Sequence, residues 1–169
     1  MAELSKDENI RLRPAKAEDI PLVLEFIRAL AEYEHLSSQV KAEEDALGRF
    51  IFEEKRAEVI IAEYQGAPAG FALFFRNFST FLGRPGIYIE DLFVKPEFRG
   101  KGLGKALLRS VARIAAEEHC GRLEWACLNW NEPSAAFYKS QGAVPLTEWT
   151  TYRVTEEKIK TLAGRVLLD

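Results

Sequence analysis

A predicted strand, a glycine-rich turn and the start of a long helix follow one another between Ile87 and Lys105, and no other segment restricts the fold as much. The run IYIEDLFV is rich in aliphatic and aromatic residues, which is typical of a largely buried strand. The run RGKGLGK has glycine at every second position, so side chains do not shield its main-chain amides. Such amides, with the N–H groups that open a helix, bind phosphate oxygens. The segment therefore predicts a site for a phosphate or pyrophosphate group.

Spacing separates the known phosphate-binding loops. A Walker loop needs G-x-x-x-x-G-K followed by Ser or Thr, which this sequence lacks. The dinucleotide fingerprint G-x-G-x-x-G follows the first strand of a βαβ unit, but here the third glycine comes one residue early and over half the chain precedes it. The pattern that remains is Arg99-x-x-Gly102-x-Gly104, within a segment that we call the glycine loop (Arg99–Lys105). Standing alone, it would be explained more simply as a turn that lets strand and helix pack closely.

A second informative segment covers residues 130–143. Asn131 lies where a helix N-cap is expected, Pro133 fits a first helical turn, and Gly142 fits a C-terminal stop. These signals predict a short helix over residues 133–141.

Both segments resemble the acyl-CoA site of the GNAT superfamily of N-acetyltransferases. The glycine loop is similar to the family's pyrophosphate loop, Gln/Arg-x-x-Gly-x-Gly/Ala, and residues 130–143 are similar to the other half of that site, which carries a tyrosine near the thioester sulfur. The two segments occur in the family's order. That order argues against the alternative in which Phe137 and Tyr138 are only core aromatics and Asn131 only a cap.

Several short runs resemble the diamine and polyamine N-acetyltransferase branch, which includes the spermidine/spermine and thialysine acetyltransferases. They are Tyr33-Glu34, Ile89-Glu90-Asp91-Leu92-Phe93-Val94, Arg99-Gly100 and Trp130-Asn131-Glu132-Pro133-Ser134 with Phe137-Tyr138-Lys139. The likeness extends from Ile10 to Val154. It implies acetyl-CoA as co-substrate without a metal, direct attack by a primary amine of a small-molecule acceptor in a ternary complex, and a homodimer.

The resemblance also implies the cofactor contacts. Strands 87–95 and 122–128 would run parallel and splay apart, and the pantetheine arm would pair with the backbone in the gap. The implied cofactor-binding residues are Leu92, Phe93, Val94, Arg99, Gly100, Lys101, Gly102, Leu103, Gly104, Lys105, Asn131, Ser134 and Tyr138.

Acetyl transfer to an amine requires a base, because an alkylammonium is protonated at neutral pH. We predict Glu90 as that base, since an acidic side chain in an apolar strand is costly unless it is used; the alternative is an ion pair with a core arginine. Asp91 would point to the opposite face of a regular strand and be structural or an ammonium partner, although a bulge would remove this argument.

The reaction also needs one group that stabilises the developing negative charge and another that protonates the leaving sulfur. A main-chain N–H near Phe93 is predicted to stabilise the charge on the carbonyl oxygen, and Tyr138 to protonate the sulfur, since a phenol keeps its proton at neutral pH. A covalent route through Cys127 lacks a histidine base nearby in the sequence.

Acidic residues are concentrated between the first two predicted helices. The resemblance places Tyr33 and Glu34 at the edge of the amine cleft, together with Glu90 and Asp91. The equally good alternative is a solvated helix face. The residues concerned are Glu32, Glu34, Glu43, Glu44 and Asp45.

Composition argues against several other classes of protein. A formal net charge of −3 with no basic stripe argues against a nucleic-acid partner. Two cysteines and two histidines are too few for a metal site or a disulfide framework. No segment is long and apolar enough for a membrane span, and the N-terminus lacks a signal-peptide core, so we expect a cytoplasmic protein.

Periodicity predicts an α/β fold with a mixed sheet, helices on both faces and the order β-α-α-β-β-β-α-β-α-β before a terminal helix. We expect residues 1–8 to be flexible and 9–169 to form a single domain. The predicted strands are 10–13, 57–64, 69–78, 87–95, 122–128 and 148–154, and the predicted helices 17–34, 42–52, 103–119, 133–141 and one capped by Thr155 that ends near Gly164. A turn at residues 65–68 would join two strands into a hairpin.

Three other functions fit parts of this pattern. A protein or peptide N-acetyltransferase would not need the acidic segment for substrate affinity. A non-catalytic acetyl-CoA sensor would need the phosphate socket but neither Glu90 nor Tyr138. A phosphate-binding module unrelated to CoA would need only the glycine loop.

Overall fold

The computed structural model describes residues 8–164, and the chain divides into two compact units at Leu128/Asn129. Most of the flexible segment predicted for residues 1–8 therefore lies outside the described residues. The single domain predicted for residues 9–169 stays a prediction.

The first unit contains a five-stranded mixed sheet with strands in the order β1-β2-β3-β4-β5. The first four strands pair antiparallel, and β4 pairs parallel with β5. The predicted α/β class, the hairpin and the parallel pair are confirmed. The strands are β1 (Ile10–Pro14), β2 (Glu58–Tyr64), β3 (Ala67–Ser79), β4 (Arg84–Val94) and β5 (Arg122–Trp125).

The turn between β2 and β3 is shorter than predicted. Ala67 already pairs with Tyr64, so only Gln65 and Gly66 form the turn. Both have positive φ, +50° and +82°, which matches the right-handed twist of a tight hairpin. Pro68 lies within β3 rather than in the turn.

The described residues of the first unit form three α-helices: α1 (Ile20–Tyr33), α2 (Glu44–Leu47) and α3 (Leu103–Glu117). The predicted helix 17–34 begins instead with a 3₁₀ turn at Ala17–Asp19, and Pro21 occupies the first turn of α1, where a missing N–H does no harm. The predicted helix 42–52 is split, because the chain widens after α2 into a π-helical stretch, Gly48–Glu53.

The core lies on both faces of the sheet. On one face, Phe26 of α1 stacks on Phe71 of β3 with ring centroids 5.3 Å apart, and Phe93 of β4 joins the same cluster. On the other, α3 buries Leu107 and Val111 against the sheet. This arrangement fixes the C-terminal end of α1 and the N-terminal end of α3 near the last residues of β4.

Both long helices end in the same way. At the end of α1, Leu36 N–H donates to Ala31 O and His35 N–H to Glu32 O, at 2.8 and 3.1 Å. This is a Schellman arrangement, in which the residue after the C-cap adopts a left-handed conformation that usually requires glycine. His35 has φ +59° there, and His119 has φ +55° at the equivalent position after α3.

The second unit, described from Asn129 to Gly164, contains two helices, α4 (Glu132–Ser140) and α5 (Glu156–Ala163). Both predicted helices are confirmed, with Asn131 and Thr155 at their N-caps. The predicted strand 148–154 is wrong, because these residues form no regular structure in the described part of the chain. Alternating side chains do not make a strand without a hydrogen-bonded neighbour, and Trp149 and Tyr152 are exposed.

Candidate active site

A β-bulge interrupts β4 at the predicted catalytic residue. Asp91 lies opposite Leu73 and Ile89 opposite Phe74, so Glu90 is an extra residue with no counterpart on β3. Ile87 and Ile89 are buried, whereas beyond the bulge Asp91 and Phe93 share the face of Leu73 and Phe71. The regular alternation assumed for Asp91 is therefore wrong, and Asp91 faces the side of the sheet that α1 covers.

The pairing of β5 also ends at this point. β4 and β5 are in register from Gly86↔Arg122 to Ile89↔Trp125, and β4 continues to Val94. The strand predicted for 122–128 is three residues shorter than expected, which leaves Cys127 outside it. The predicted splaying of two parallel strands thus has a structural counterpart.

Beyond the bulge, the backbone of β4 has hydrogen-bonding groups along the edge that β5 no longer pairs with. Lys95 N–H donates to Ala69 O at 2.8 Å, which fixes the antiparallel alternation with β3. Phe93 then directs its N–H and C=O towards β3, and Leu92 and Val94 direct theirs away from it. The predicted strand-like pairing of a pantetheine arm would use Leu92 and Val94.

Three carboxylates lie close together around the bulge. Burial is the main cause that raises the pKa of Asp91 to about 7, and the nearby charges of Glu90 and Glu34 add to it. Burial also raises the pKa of Glu34, which follows directly after α1. Glu90 is exposed, so the premise that it is buried in an apolar strand is wrong. Two of the predicted substrate residues, Glu34 and Asp91, are the half-buried carboxylates of this group.

The remaining acidic residues fit the alternative interpretation, in which they form a solvated helix face. Glu43, Glu44 and Asp45 are exposed. Glu32 and Glu44 line a surface groove of about 560 Å³ beside the exposed side of α1, together with Arg28.

The glycine loop has the backbone expected of an anion site. Gly100 and Gly102 have φ of +76° and +86°, and a Cβ atom on Gly100 would meet no atom within 4 Å. On Gly102 the nearest atom would be Ile10 Cδ1 at 3.8 Å. These glycines therefore serve the backbone conformation and leave open space in front of the loop.

The first turn of α3 completes this loop. Its first intrahelical hydrogen bond runs from Ala106 N–H to Gly102 O at 2.9 Å, so the N–H groups of Leu103, Gly104 and Lys105 have no intrahelical acceptor. Leu103 anchors the turn with a side chain that is 1% exposed, while Lys105 is exposed. Amides, positive charge and open space together suit a pyrophosphate group.

The two cations that flank Gly100 lie over aromatic rings. Lys101 Nζ is 5.2 Å from the ring centroid of Tyr64, and Arg99 Cζ is 4.5 Å from that of Tyr33. The glycine-loop motif predicts only a phosphate-binding role for Arg99. The contact with Tyr33 had no sequence signal, because the two residues belong to separate motifs.

The predicted residues of the second unit lie on α4 and its N-cap. Asn131 Oδ1 accepts a hydrogen bond from Ser134 N–H at 3.3 Å, which confirms the capping role. Tyr138 is half-buried and its ring is tilted against that of Phe137, with centroids 5.4 Å apart.

Cys127 does not have the environment of a nucleophile. Burial and the charge of Glu34 both raise the pKa of its thiol, so the reactive thiolate is disfavoured at neutral pH. This agrees with the absence of a predicted covalent role.

Between residues 8 and 164, no group of three or more His, Cys, Asp or Glu residues is arranged to hold a metal ion. In the same range, no helix combines the length and apolar composition needed to cross a membrane.

Comparison with known proteins assigns the class. Residues 23–143 match the Acetyltransferase (GNAT) family. The chain therefore belongs to the GNAT family and is an acetyl-CoA-dependent N-acetyltransferase.

Individual relatives are similar over most of the chain. It is 39% identical to a thialysine N-epsilon-acetyltransferase of Bos taurus, over 92% of this chain and 98% of the relative. It is 27% identical to the human spermidine/spermine N(1)-acetyltransferase-like protein 1, over 90% of this chain but only 24% of that protein. Among solved structures, an integron cassette protein from the mobile metagenome of V. cholerae is similar, with a TM-score of 0.76 and 29% identity over 93% of this chain and 99% of that one.

Proposed function

We propose that this enzyme acetylates a primary amine of a small acceptor that carries a second cationic group, such as a di- or polyamine or a thialysine-like amino acid. The observation that carries the proposal is the cluster of Glu34, Glu90 and Asp91 at the bulge of β4. Burial and the nearby charges of Glu90 and Glu34 raise the pKa of Asp91, and a cation among the three carboxylates would stabilise their ionised forms. The names of the relatives, thialysine and spermidine/spermine acetyltransferases, agree with such an acceptor.

Acetyl-CoA, when bound, supplies an activated acetyl group as its thioester. The glycine loop and the first turn of α3 would hold its pyrophosphate, and the outward N–H groups of Leu92 and Val94 with the outward C=O of Leu92 would hold its pantetheine arm. An N–H of this edge can also donate to a carbonyl oxygen that gains negative charge.

Glu90 is the proposed base. It is exposed and directly precedes the open edge of β4, so it can take a proton from the acceptor ammonium directly or through water. Asp91 is the proposed partner of the ammonium and must be ionised to act. A specific observation favours a second assignment with Asp91 as the base, because its pKa of about 7 suits proton transfer near neutrality.

Tyr138 is the proposed acid that protonates the departing sulfur, and Asn131 and Ser134 the proposed contacts to the pantetheine arm. All three lie on α4 or its N-cap, where the hydrogen bond from Ser134 N–H to Asn131 fixes the start of the helix. A phenol can donate a proton at neutral pH without special activation.

We further propose that the enzyme works in the cytoplasm as a homodimer. The end of β3 and the turn that follows it present Phe78, Phe81 and Leu82, which are 59%, 98% and 54% exposed, and a second copy would cover such an apolar tip. Light scattering during size-exclusion chromatography tests this point, and a monomeric mass at micromolar concentration contradicts it.

The acceptor is tested by measuring CoA-thiol release from acetyl-CoA with spermidine, spermine, putrescine, thialysine, lysine and a basic peptide. We expect turnover with a polyamine or thialysine and little with the peptide. Turnover of the peptide alone would assign the enzyme to protein acetylation. Binding of acetyl-CoA without turnover of any acceptor would favour a sensor.

A further inference from the structure

The Arg99 guanidinium makes three contacts that join the two halves of the proposed site. Its Nε donates to Val94 O at 3.0 Å, at the open edge of β4. Its Cζ lies 4.5 Å from the ring centroid of Tyr33 and 5.8 Å from that of Phe93. The guanidinium is therefore held between the end of α1 and the cofactor-facing edge of the sheet.

A planar cation is required for this combination. Arginine can donate in its plane while its face lies on an aromatic ring, whereas the compact ammonium of lysine cannot do both with the same geometry. Since Nε is used for Val94, the two terminal nitrogens still have donors for an anion.

The partner ring belongs to a residue whose backbone is fixed. Tyr33 is the last residue of α1, and the Schellman arrangement at Leu36 and His35 holds the main chain there. The side chain is half-buried and packs against the core cluster at the helix end, where Glu34 follows. A cation over the ring restricts its orientation.

We propose that Arg99 is a positioning residue for Tyr33, so that it controls acceptor affinity as well as contributing to the cofactor loop. The inference rests on the proposed function and on the predicted place of Tyr33 at the edge of the amine cleft. It assigns to the first residue of the glycine loop a role on the acceptor side that the other loop cations lack.

Lys101 provides the contrast within the same loop. It also lies over a ring, but that ring belongs to Tyr64 at the end of β2, which is not part of the carboxylate group. A change at Lys101 should therefore act on acetyl-CoA and not on the amine.

The test is two-substrate kinetics on Arg99→Lys, Tyr33→Leu, the double variant and Lys101→Gln. For Arg99→Lys we expect the amine KM to rise about fivefold, as for loss of one partly exposed cation–π contact, with kcat within about twofold of the wild type. The amine KM of the double variant should be no higher than that of Tyr33→Leu alone, because the two residues act on the amine through one contact. Lys101→Gln should raise the KM for acetyl-CoA and leave that for the amine unchanged.

Two results overturn the positioning role: an unchanged amine KM in Arg99→Lys with altered acetyl-CoA constants only, or additive effects in the double variant. A wild-type enzyme that acetylates no small amine would reject the proposed function instead. In that case an NMR measurement still tests the contact between Arg99 and Tyr33. The ring signal of Tyr33 is observed in tyrosine-labelled protein and is identified by its loss in Tyr33→Phe. A signal that moves in Arg99→Lys and not in Lys101→Gln supports the contact, and an unmoved signal overturns it.

Discussion

Asp91 of β4 lies opposite Leu73 of β3, whereas Glu90, the residue immediately before it, lies opposite no residue of that strand. The bulge thus gives two consecutive carboxylates different surroundings, one exposed and one half-buried. Pairs of carboxyl groups in unlike environments are a common way to divide binding and proton transfer between them.

The pH profile of kcat/KM for the amine should separate the two roles. Because Asp91 must be ionised to bind an ammonium and its pKa is raised to about 7, we expect activity to rise with pH through that value. Asp91→Asn should remove this limb and raise the amine KM. Glu90→Gln should keep the limb but displace it to lower pH, because the charge of Glu90 helps to raise the pKa of Asp91. It should also reduce kcat, mainly at lower pH, where free amine is scarce.

The opposite pattern would reassign the base. Asp91 accepts the proton if Asp91→Asn lowers kcat with an unchanged amine KM and the pH profile of kcat/KM for Glu90→Gln matches that of the wild type. Stopped-flow measurement of acetyl-CoA binding to both variants provides the control, because neither change should alter the glycine loop.

Asp91 should also make folding stability depend on pH. Its pKa is raised above the unfolded value near 3.9, so the native state binds the extra proton and wild-type stability falls as pH rises from about 4 to about 7. The side chain at position 91 does not titrate in the Asp91→Asn variant. The free energy of unfolding of this variant relative to the wild type should therefore increase over this pH range by at most on the order of 3 kcal/mol, from the size of the shift. Urea unfolding at pH 5 and pH 8 measures the difference.

Glu97→Gln is the matched control for that experiment, since Glu97 is an exposed carboxylate in the turn after β4. It should change stability by the same small amount at both pH values. An equal effect of Asp91→Asn at pH 5 and pH 8 would show that the buried carboxylate does not titrate as proposed.

The bulge also shows what the sequence could and could not predict. Periodicity predicted the strands and helices of the first unit, because hydrophobic faces must be buried in any fold of this class. The parallel β4–β5 pair was implied by the family resemblance. A bulge adds one residue without changing composition, so the side on which Asp91 lies could not be read from alternation.

Long-range contacts were the other limit. The strand predicted for 148–154 failed because a strand depends on a pairing partner that alternation cannot supply. The contact of Arg99 with Tyr33 joins residues from two motifs that are read independently, so only the fold brings them together. The glycine loop was predictable because its function depends on backbone conformation that glycine itself permits.

Gly102→Glu should abolish acetyl-CoA binding. The φ of +86° and the open space in front of this residue place the new carboxylate where the pyrophosphate is expected, so repulsion and occlusion act together. Equilibrium dialysis with labelled acetyl-CoA measures the loss.

Gly66→Glu is the control, because Gly66 also has positive φ, +82°, and open space, but lies in the β2–β3 turn. It carries the same backbone strain and should bind acetyl-CoA normally. Binding retained by Gly102→Glu would place the phosphate site elsewhere in the protein.

Tyr138→Phe should reduce kcat about a hundredfold, the usual range for loss of a general acid, with little change in acetyl-CoA affinity. The substitution removes only the hydroxyl, and the ring contact with Phe137 remains. Steady-state turnover and a binding titration are measured on the same preparation. Tyr152→Phe, at a tyrosine that is 91% exposed in the same unit, should behave as the wild type. Normal turnover in Tyr138→Phe would remove this residue as the acid.

His119→Gly should stabilise the protein. His119 holds φ +55° after the end of α3, where Cys120 N–H donates to Ala115 O at 2.8 Å and His119 N–H to Ala116 O at 3.1 Å. A left-handed conformation costs a residue with a Cβ atom about 1 kcal/mol, and glycine avoids it despite its greater freedom in the unfolded chain. We expect the free energy of unfolding to rise by about 0.5 kcal/mol in urea titrations. Ala116→Gly, at an exposed right-handed position in the last turn of α3, introduces the same glycine without relieving strain and should lower stability by about 1 kcal/mol. If both variants lose stability equally, the entropy of glycine outweighs the strain at His119, and the left-handed helix end is less costly than its φ implies.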